Sequence, residues 1–294
     1  MKSTLLPYLT KDSSVVGDKR WSHVGSRLIV TVILVVLALT TLAPLFWMVS
    51  ASLKIEADVF RFPIEWIPSR WNAVENYTAV WEESNFALYY WNSIKVAVLG
   101  TLLLLGTASL AAYAFSKMHY PGREFLFWLY IASMMIPIQV TLVPRFMIVR
   151  WLGLYDSHAA LILMGAFSAY AVFLLRQNMK AIPDSLCESA QIDGAKHFQV
   201  YWHIVLPVVK PALAVQAILK FIWTWNNYQM PLIFLKSEEL FTIQLGLSRF
   251  ADESGTIFSL VMAGSVSAIL PLLIVFMLGQ RYILKGITVG SVKG

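Results

Sequence analysis

The 294-residue chain is 58% hydrophobic and only 14% charged, and its mean hydropathy is +0.64. Soluble domains carry charge on roughly a quarter of their residues, so the composition excludes a soluble globular protein and indicates a membrane protein. The single cysteine, Cys187, excludes an internal disulfide framework and a zinc site built from several thiolates.

Six apolar segments predict six transmembrane helices, because about 20 apolar residues are needed to cross roughly 30 Å of hydrocarbon. Residues 1–27 form a polar, basic tail without the short apolar core and cleavage site of a secretory signal, so the first span is expected to be retained. The chain is interpreted as one all-α polytopic membrane domain, residues 28–283, followed by a second tail, residues 284–294. The predicted spans are residues 28–50, 91–116, 125–144, 158–175, 211–235 and 259–280.

The segment after the first span, residues 51–90, is rich in tryptophan and proline. Tryptophan is favoured at the interface between membrane and water. The segment is therefore expected to form a short structured cap with interfacial anchors, and the residues concerned are Pro63, Trp66, Pro68, Trp71 and Trp81.

The third span contains two prolines, Pro137 and Pro144, a few turns apart. Each proline removes a backbone donor from the helix, and the freed carbonyls need partners from neighbouring helices or water. Gln139 lies between them and is a candidate for the translocation pathway or its gate. A kink that only shapes helix packing is the alternative.

The polar loop before the fifth span, residues 184–207, carries a tightly spaced pattern. Asp184 is a candidate N-cap of a short helix that runs to Ile192. Gly194 offers a backbone that is free to turn, and a second helix leads to Pro207 at the membrane boundary. This arrangement, named the knob here, suits insertion into a cleft of a partner protein. An amphipathic connector on the membrane surface is the alternative.

The fifth span is less apolar than the others because it contains Lys220 and four polar residues in succession. An amide in hydrocarbon either bonds to a neighbouring helix or faces water, so these residues either join helices or line the pathway, and both interpretations stay open. Lys220 is expected to extend its ammonium toward the cytoplasmic boundary, with a substrate role as the alternative. The pathway or gate candidates in this span are Asn226, Asn227, Tyr228 and Gln229.

The charges between the spans divide unequally between the two sides of the membrane. The side that holds both termini and the knob carries 14 basic and 6 acidic residues, whereas the opposite side carries 7 basic and 11 acidic residues. By the positive-inside rule, both termini and the knob are cytoplasmic. The net charge of +6 thus follows from membrane topology and gives no support to nucleic-acid binding.

The knob resembles the EAA loop of the permease subunits of binding-protein-dependent ABC transporters. Six positions match the motif at the spacing of that family, and Ser189 stands where the second position is usually alanine, a change that keeps the residue small. The matching residues are Glu188, Ala190, Gly194, Ile204, Leu206 and Pro207.

The rest of the chain resembles the carbohydrate-uptake branch of these permeases, and in particular the smaller permease subunit of maltose-type importers. The segments that carry this likeness are residues 92–93, 111–114, 134–139, 225–231, 280–286 and 292–294. The resemblance implies a type I ABC importer transmembrane domain with six helices in the bacterial cytoplasmic membrane. Its implied cargo is an oligosaccharide or a related sugar.

By the same resemblance, the chain works with a homologous second permease subunit, two ATPase subunits and an extracytoplasmic solute-binding protein. It binds no cofactor of its own, because ATP and Mg are bound by the ATPase partners. The third external loop is implied to contact the binding protein through Arg249, Asp252 and Glu253. The residues implied to couple to the ATPase are Glu188, Ser189, Ala190, Asp193, Gly194, Ala195, Ile204, Leu206 and Pro207.

Several kinds of chemistry have no support in the sequence. No GxxxxGK[ST] phosphate loop occurs, so the chain is not expected to hydrolyse ATP itself, and its five histidines have no spacing typical of a metal site. An ion-coupled secondary transporter is the alternative class, but such a protein is expected to carry carboxylates inside its spans, and these spans contain none. An ABC permease for a non-sugar solute is a further alternative.

Overall fold

The computed structural model describes residues 15–252 and 255–291. These residues are mainly helical, with one short hairpin of strands β1 (Ala251–Asp252) and β2 (Gly255–Thr256). In chain order the helices are α1 (Val15–Ser52), α2 (Glu56–Val59), α3 (Ala73–Thr78), α4 (Phe86–Lys117), α5 (Arg123–Ala132), α6 (Ile138–Trp151), α7 (His158–Met164), α8 (Ala169–Lys180), α9 (Asp184–Ile192), α10 (His197–Val200), α11 (Leu206–Val208), α12 (Lys210–Trp225), α13 (Gln229–Phe234), α14 (Ile243–Leu247) and α15 (Phe258–Ser291).

Three of these helices, α1, α4 and α15, each contain an unbroken stretch that is long and apolar enough to cross a membrane. They correspond to the first, second and sixth predicted spans. Helix α1 begins at Val15 and α15 continues to Ser291, so helical structure extends into both predicted tails. Residues 1–14 and 292–294 of those tails lie outside the described residues.

The other three predicted spans are not continuous helices. Helix α5, extended by a 3₁₀ turn, meets α6 at a bend of 102°, and α7 meets α8 at 44°. The fifth predicted span is interrupted after Trp225, where α12 ends, and α12 itself meets residues 197–208, most of which belong to the knob, at 77°. If each bent pair is one crossing, the described residues hold up to six crossings.

Proline explains the sharpest of these bends. Pro137 has no backbone N–H and disfavours helical conformation in the residue before it. Ile136 is accordingly extended, with φ −83° and ψ 114°. Pro144, in contrast, lies inside α6 without ending it. Of the two predicted breaks, the structure therefore contains one.

Helix α4 lies at the centre of the packing, because it contacts both α8 and α12, whereas α1 packs against α15. One apolar core joins α4 and α8 to the knob through Ala112, Leu175 and Val205, all less than 1% exposed. On the opposite side of the domain, the predicted cap contains α2 and α3, and Arg70 donates two hydrogen bonds to Asp58 within it. The knob therefore shares a core with the membrane helices.

Candidate functional site

The knob has the helix, turn and helix that its spacing predicts. Helix α9 ends at Ile192, and Gly194 has a φ of +89°, a left-handed conformation that glycine adopts without steric cost. The amide of Ala195 donates to the carbonyl of Ala190 and that of Gly194 to the carbonyl of Gln191, which is the Schellman pattern of helix termination. Gly194 thus fixes the angle between α9 and the following helical segment.

The nine predicted coupling residues divide into two groups. Ala190, Ala195, Ile204 and Leu206 are half-buried and pack against the core below the knob. The remaining five face outward and are exposed, and they are Glu188, Ser189, Asp193, Gly194 and Pro207. Only this second group is available to a partner, while the first group attaches the knob to the membrane domain.

The sequence analysis did not identify the exposed apolar side chains of the knob. Ile192 is 86% exposed, one turn along α9 from Glu188. Leu186, Phe198 and Trp202 are also exposed. Phe198 and Trp202 stack with their ring centroids 6.3 Å apart. Exposed apolar surface often marks an interaction site, and four large apolar side chains inside a polar loop were the signal that could have revealed it.

Polar contacts connect the knob to α4. Lys117, at the end of α4, is 2% exposed, and its Nζ lies 2.6 Å from Oδ1 of Asp184. The Tyr201 hydroxyl lies 2.8 Å from Ser109 Oγ on the same helix. Asp184 is the first residue of α9, and Pro183 occupies the N-cap position. The predicted capping role of Asp184 is thus wrong. The hydrogen bond from Lys117 holds the pKa of Asp184 below its usual value.

The polar run of the predicted fifth span lies in a helix break. Helix α12 ends at Trp225 and α13 begins at Gln229, so the predicted span 211–235 is not one continuous helix. Asn226 donates to Ile222 of its own helix, and the Asn227 side chain accepts from the amide of Met230. Both bonds are local, so neither joins two transmembrane helices.

Only one of the pathway candidates faces a described cavity. Asn227 lines a cavity of about 40 Å³ between α4, α7, α12 and α13. Asn226, Tyr228, Gln229 and Gln139 are exposed, and they line neither this cavity nor the larger one that adjoins it.

A second cavity of about 350 Å³ adjoins the first, and the two share a wall. The shared wall contains Arg145 of α6, Lys220 and Trp223 of α12, and Gly165. The side chain of Lys220 thus lines both cavities, and its extension toward the cytoplasmic boundary stays a prediction. Arg145, which the sequence assigned to an external loop, lines the same space.

The predicted binding-protein contacts lie on the loop that precedes α15. Arg249 is exposed, and its guanidinium lies 3.3 Å from Glu238 Oε2. Tyr89 donates to the other oxygen of Glu238. Asp252 belongs to β1, whereas Glu253 lies outside the described residues.

No group of three or more His, Cys, Asp or Glu side chains suited to a metal ion occurs among residues 15–252 and 255–291.

Comparison with known proteins gives a consistent result. Residues 104–289 match the family model of the binding-protein-dependent transport system inner membrane component. The chain is 34% identical to an arabinooligosaccharides transport system permease protein of Bacillus subtilis, over 91% of this chain and 96% of that protein. It is 32% identical to a lactose transport system permease protein of Rhizobium radiobacter, over 87% and 92%.

A solved structure is also similar. It is that of a bacterial ABC transporter involved in the import of the acidic polysaccharide alginate, with a TM-score of 0.79 and 26% identity. The match covers 94% of this chain and 99% of that one. A second structure, of an alginate ABC transporter with its alginate-bound periplasmic protein, has a TM-score of 0.63 at 16% identity, which shows likeness of fold alone.

Proposed function

The chain belongs to the family of binding-protein-dependent transport system inner membrane components, and we propose that it is the permease subunit of an ATP-driven importer of an oligosaccharide or related sugar. It is a transport subunit of the inner membrane and has the type I importer fold. The observation that carries the proposal is the match of most of the chain to saccharide permeases, together with the matching fold.

The partners follow from the proposal. A solute-binding protein delivers the sugar, a homologous permease completes the pathway, and two ATPase subunits bind ATP and Mg. The family of the chain, a component of binding-protein-dependent transport systems, supports the first of these. The exposed face of the knob, with Glu188 and Ile192, supplies a surface for an ATPase subunit.

The contacts of the knob give a route for coupling. A rigid-body movement of α9 in an ATPase cleft passes to α4 through the ion pair of Lys117 with Asp184 and through the Ser109–Tyr201 contact. Because α4 also packs against α8 and α12, its displacement changes access to the cavities beside α12. This sequence of movements describes alternating access driven from outside the membrane.

The test is reconstitution of the full assembly in proteoliposomes with a panel of neutral and acidic oligosaccharides, an amino acid and a polyol. We expect a saccharide to stimulate ATP hydrolysis and to enter the vesicles only when ATP is present. Uptake by this chain alone under an ion gradient would support the secondary-transporter alternative. Stimulation by the amino acid with none by any saccharide would contradict the proposed cargo.

A further inference from the structure

We propose that the two adjoining cavities beside α12 form a site for an anionic saccharide, so that the importer selects an acidic sugar. This inference rests on the proposed function and adds the charge of the cargo to it. Residues of α4, α6, α7, α8, α12 and α13 line the two cavities, which lie inside the helical domain that the substrate has to cross.

The first argument is charge. Arg145 and Lys220 both line both cavities. Among the residues that line them there is no Asp or Glu, and within the described part of the chain neither cation lies within 4.0 Å of a carboxylate oxygen. Cations inside a membrane domain are costly unless an anion or water compensates them. An anionic group of the cargo supplies that compensation.

The second argument is the set of buried polar atoms without partners. Thr224 and Thr242 line the smaller cavity, Gln216 lines the larger one, and the atoms concerned are Thr224 Oγ1, Thr242 Oγ1 and Gln216 Nε2. Within the described residues none of these three atoms has a hydrogen-bond partner, although Gln216 and Thr242 are only 3% and 6% exposed. Buried polar groups in proteins are normally paired. Two hydroxyls and an amide donor are suited to the hydroxyl and carboxylate oxygens of a sugar acid.

The third argument is the aromatic surface. The Lys220 ammonium lies 4.9 Å from the centroid of the Trp223 ring, and Trp223 is half exposed, at 51%. A ligand site commonly combines an aromatic wall with a few placed polar groups. Trp223 offers a flat apolar surface to a sugar ring, and Lys220 beside it offers a charge to the substituent of that ring.

Gly165 leaves the space that this arrangement requires. A Cβ atom at residue 165 would stand 2.6 Å from Lys220 Nζ, inside van der Waals contact. The absence of a side chain there allows the ammonium to lie against α7 and to face both cavities. The position of Lys220 is thus determined by its neighbours on two helices.

The test uses the complete importer in proteoliposomes, with a trisaccharide of uronic acids and a neutral trisaccharide as probes, each with the binding protein. A phosphorylated disaccharide forms a third arm, because carboxylate and phosphate share the same charge chemistry. We expect the wild-type assembly to take up an acidic probe in preference to the neutral one. Lys220→Met and Arg145→Met should each lower the ratio of acidic to neutral uptake about tenfold, as expected for loss of a charge-assisted hydrogen bond.

Two matched variants control for folding. Lys220→Arg keeps the charge and should hold the ratio within about threefold of wild type. Lys95→Met removes a lysine of α4 that lies within the membrane domain but borders neither cavity, and it should leave the ratio unchanged. Preferred uptake of the neutral probe, with a ratio that neither methionine variant alters, would overturn the acidic site while leaving the proposed function intact. ATP-dependent uptake of none of the saccharides would overturn both.

Discussion

The ammonium of Lys117 and the carboxylate of Asp184 form an ion pair of 2.6 Å that joins the end of α4 to the first turn of the knob. The lysine is buried, at 2% exposure, whereas the side chain of the aspartate is 61% exposed. Lys117 also donates to the carbonyl of Ile182. A buried cation is thus held by the loop itself, so the loop cannot shift without disturbing α4.

Asp184→Ala should weaken this attachment. The buried ammonium would keep only the Ile182 carbonyl, and loss of a charged partner costs about 1–3 kcal/mol. We expect a lower thermal midpoint of the detergent-solubilised assembly and less sugar moved per ATP hydrolysed. Ser185→Ala, on the exposed side of the same helix, is the control. If Asp184→Ala behaved as the control and the wild type do, the ion pair would have no part in coupling.

Substitution of Gly194 tests whether coupling needs a left-handed backbone conformation at this turn. No heavy atom lies within 4 Å of the place where its Cβ would stand, so the cost of substitution comes from φ +89° and amounts to about 1–2 kcal/mol for most residues. Gly194→Val should abolish sugar uptake and leave membrane insertion intact, whereas Gly194→Asn should retain most uptake. Equal uptake by the two variants, measured with equal amounts in the membrane, would show that the turn geometry is unimportant.

Ile192 tests the exposed apolar face of the knob. Ile192→Asp places a charge where we expect a buried contact with an ATPase subunit, and a tenfold or greater loss of co-purified ATPase is expected, because an unpaired buried charge is costly. Ser189→Ala is the matched control on the same helix, because alanine is the residue that the EAA motif usually has at this position. It removes only the bond of its hydroxyl to the Ser185 carbonyl, and full ATPase recovery is expected. Undiminished ATPase binding by Ile192→Asp would place the interface elsewhere.

Asp156 joins the second external loop to the third by hydrogen bonds to Lys236 and Ser237, on the side of the domain opposite the knob. Its carboxylate accepts from the Ser237 hydroxyl and from the amides of Ser237 and Lys236, and these bonds hold its pKa below the usual value of an aspartate. A depressed pKa adds stability above the unfolded value and loses it as the pH falls through the folded value.

Asp156→Asn keeps a residue type that tolerates the φ of +57° at this position. Wild type should therefore have a higher thermal midpoint than the variant from pH 7 down to about pH 4, and the difference should shrink at lower pH. Thermal unfolding in detergent at several pH values measures this. A difference that is constant down to pH 3 would exclude the carboxylate charge as its cause.

The sequence located the knob accurately because its signal is local. The spacing of Glu188, Gly194 and Pro207 depends on helix geometry and on one glycine turn, and the bounds of α9 and the positive φ of Gly194 agree with it. The same reasoning failed for Asp184, because its partner, Lys117, lies 67 positions away in the chain. The choice between a capping role and an ion pair depended on that distant contact.

The sequence by itself determined the membrane class, the apolar segments and the knob, since hydropathy and helix periodicity act over a few turns of chain. Only the tertiary structure decided which polar residues face an internal space. Arg145 and Lys220 lie on helices far apart in sequence and meet at one cavity wall, whereas Gln139 and Gln229 are exposed. The helix breaks at Pro137 and Asn226 decide which side chains face the cavity and which are exposed. The angle across each break depends on the packing of the neighbouring helices and not on the residues at the break alone, so the sequence could not predict it.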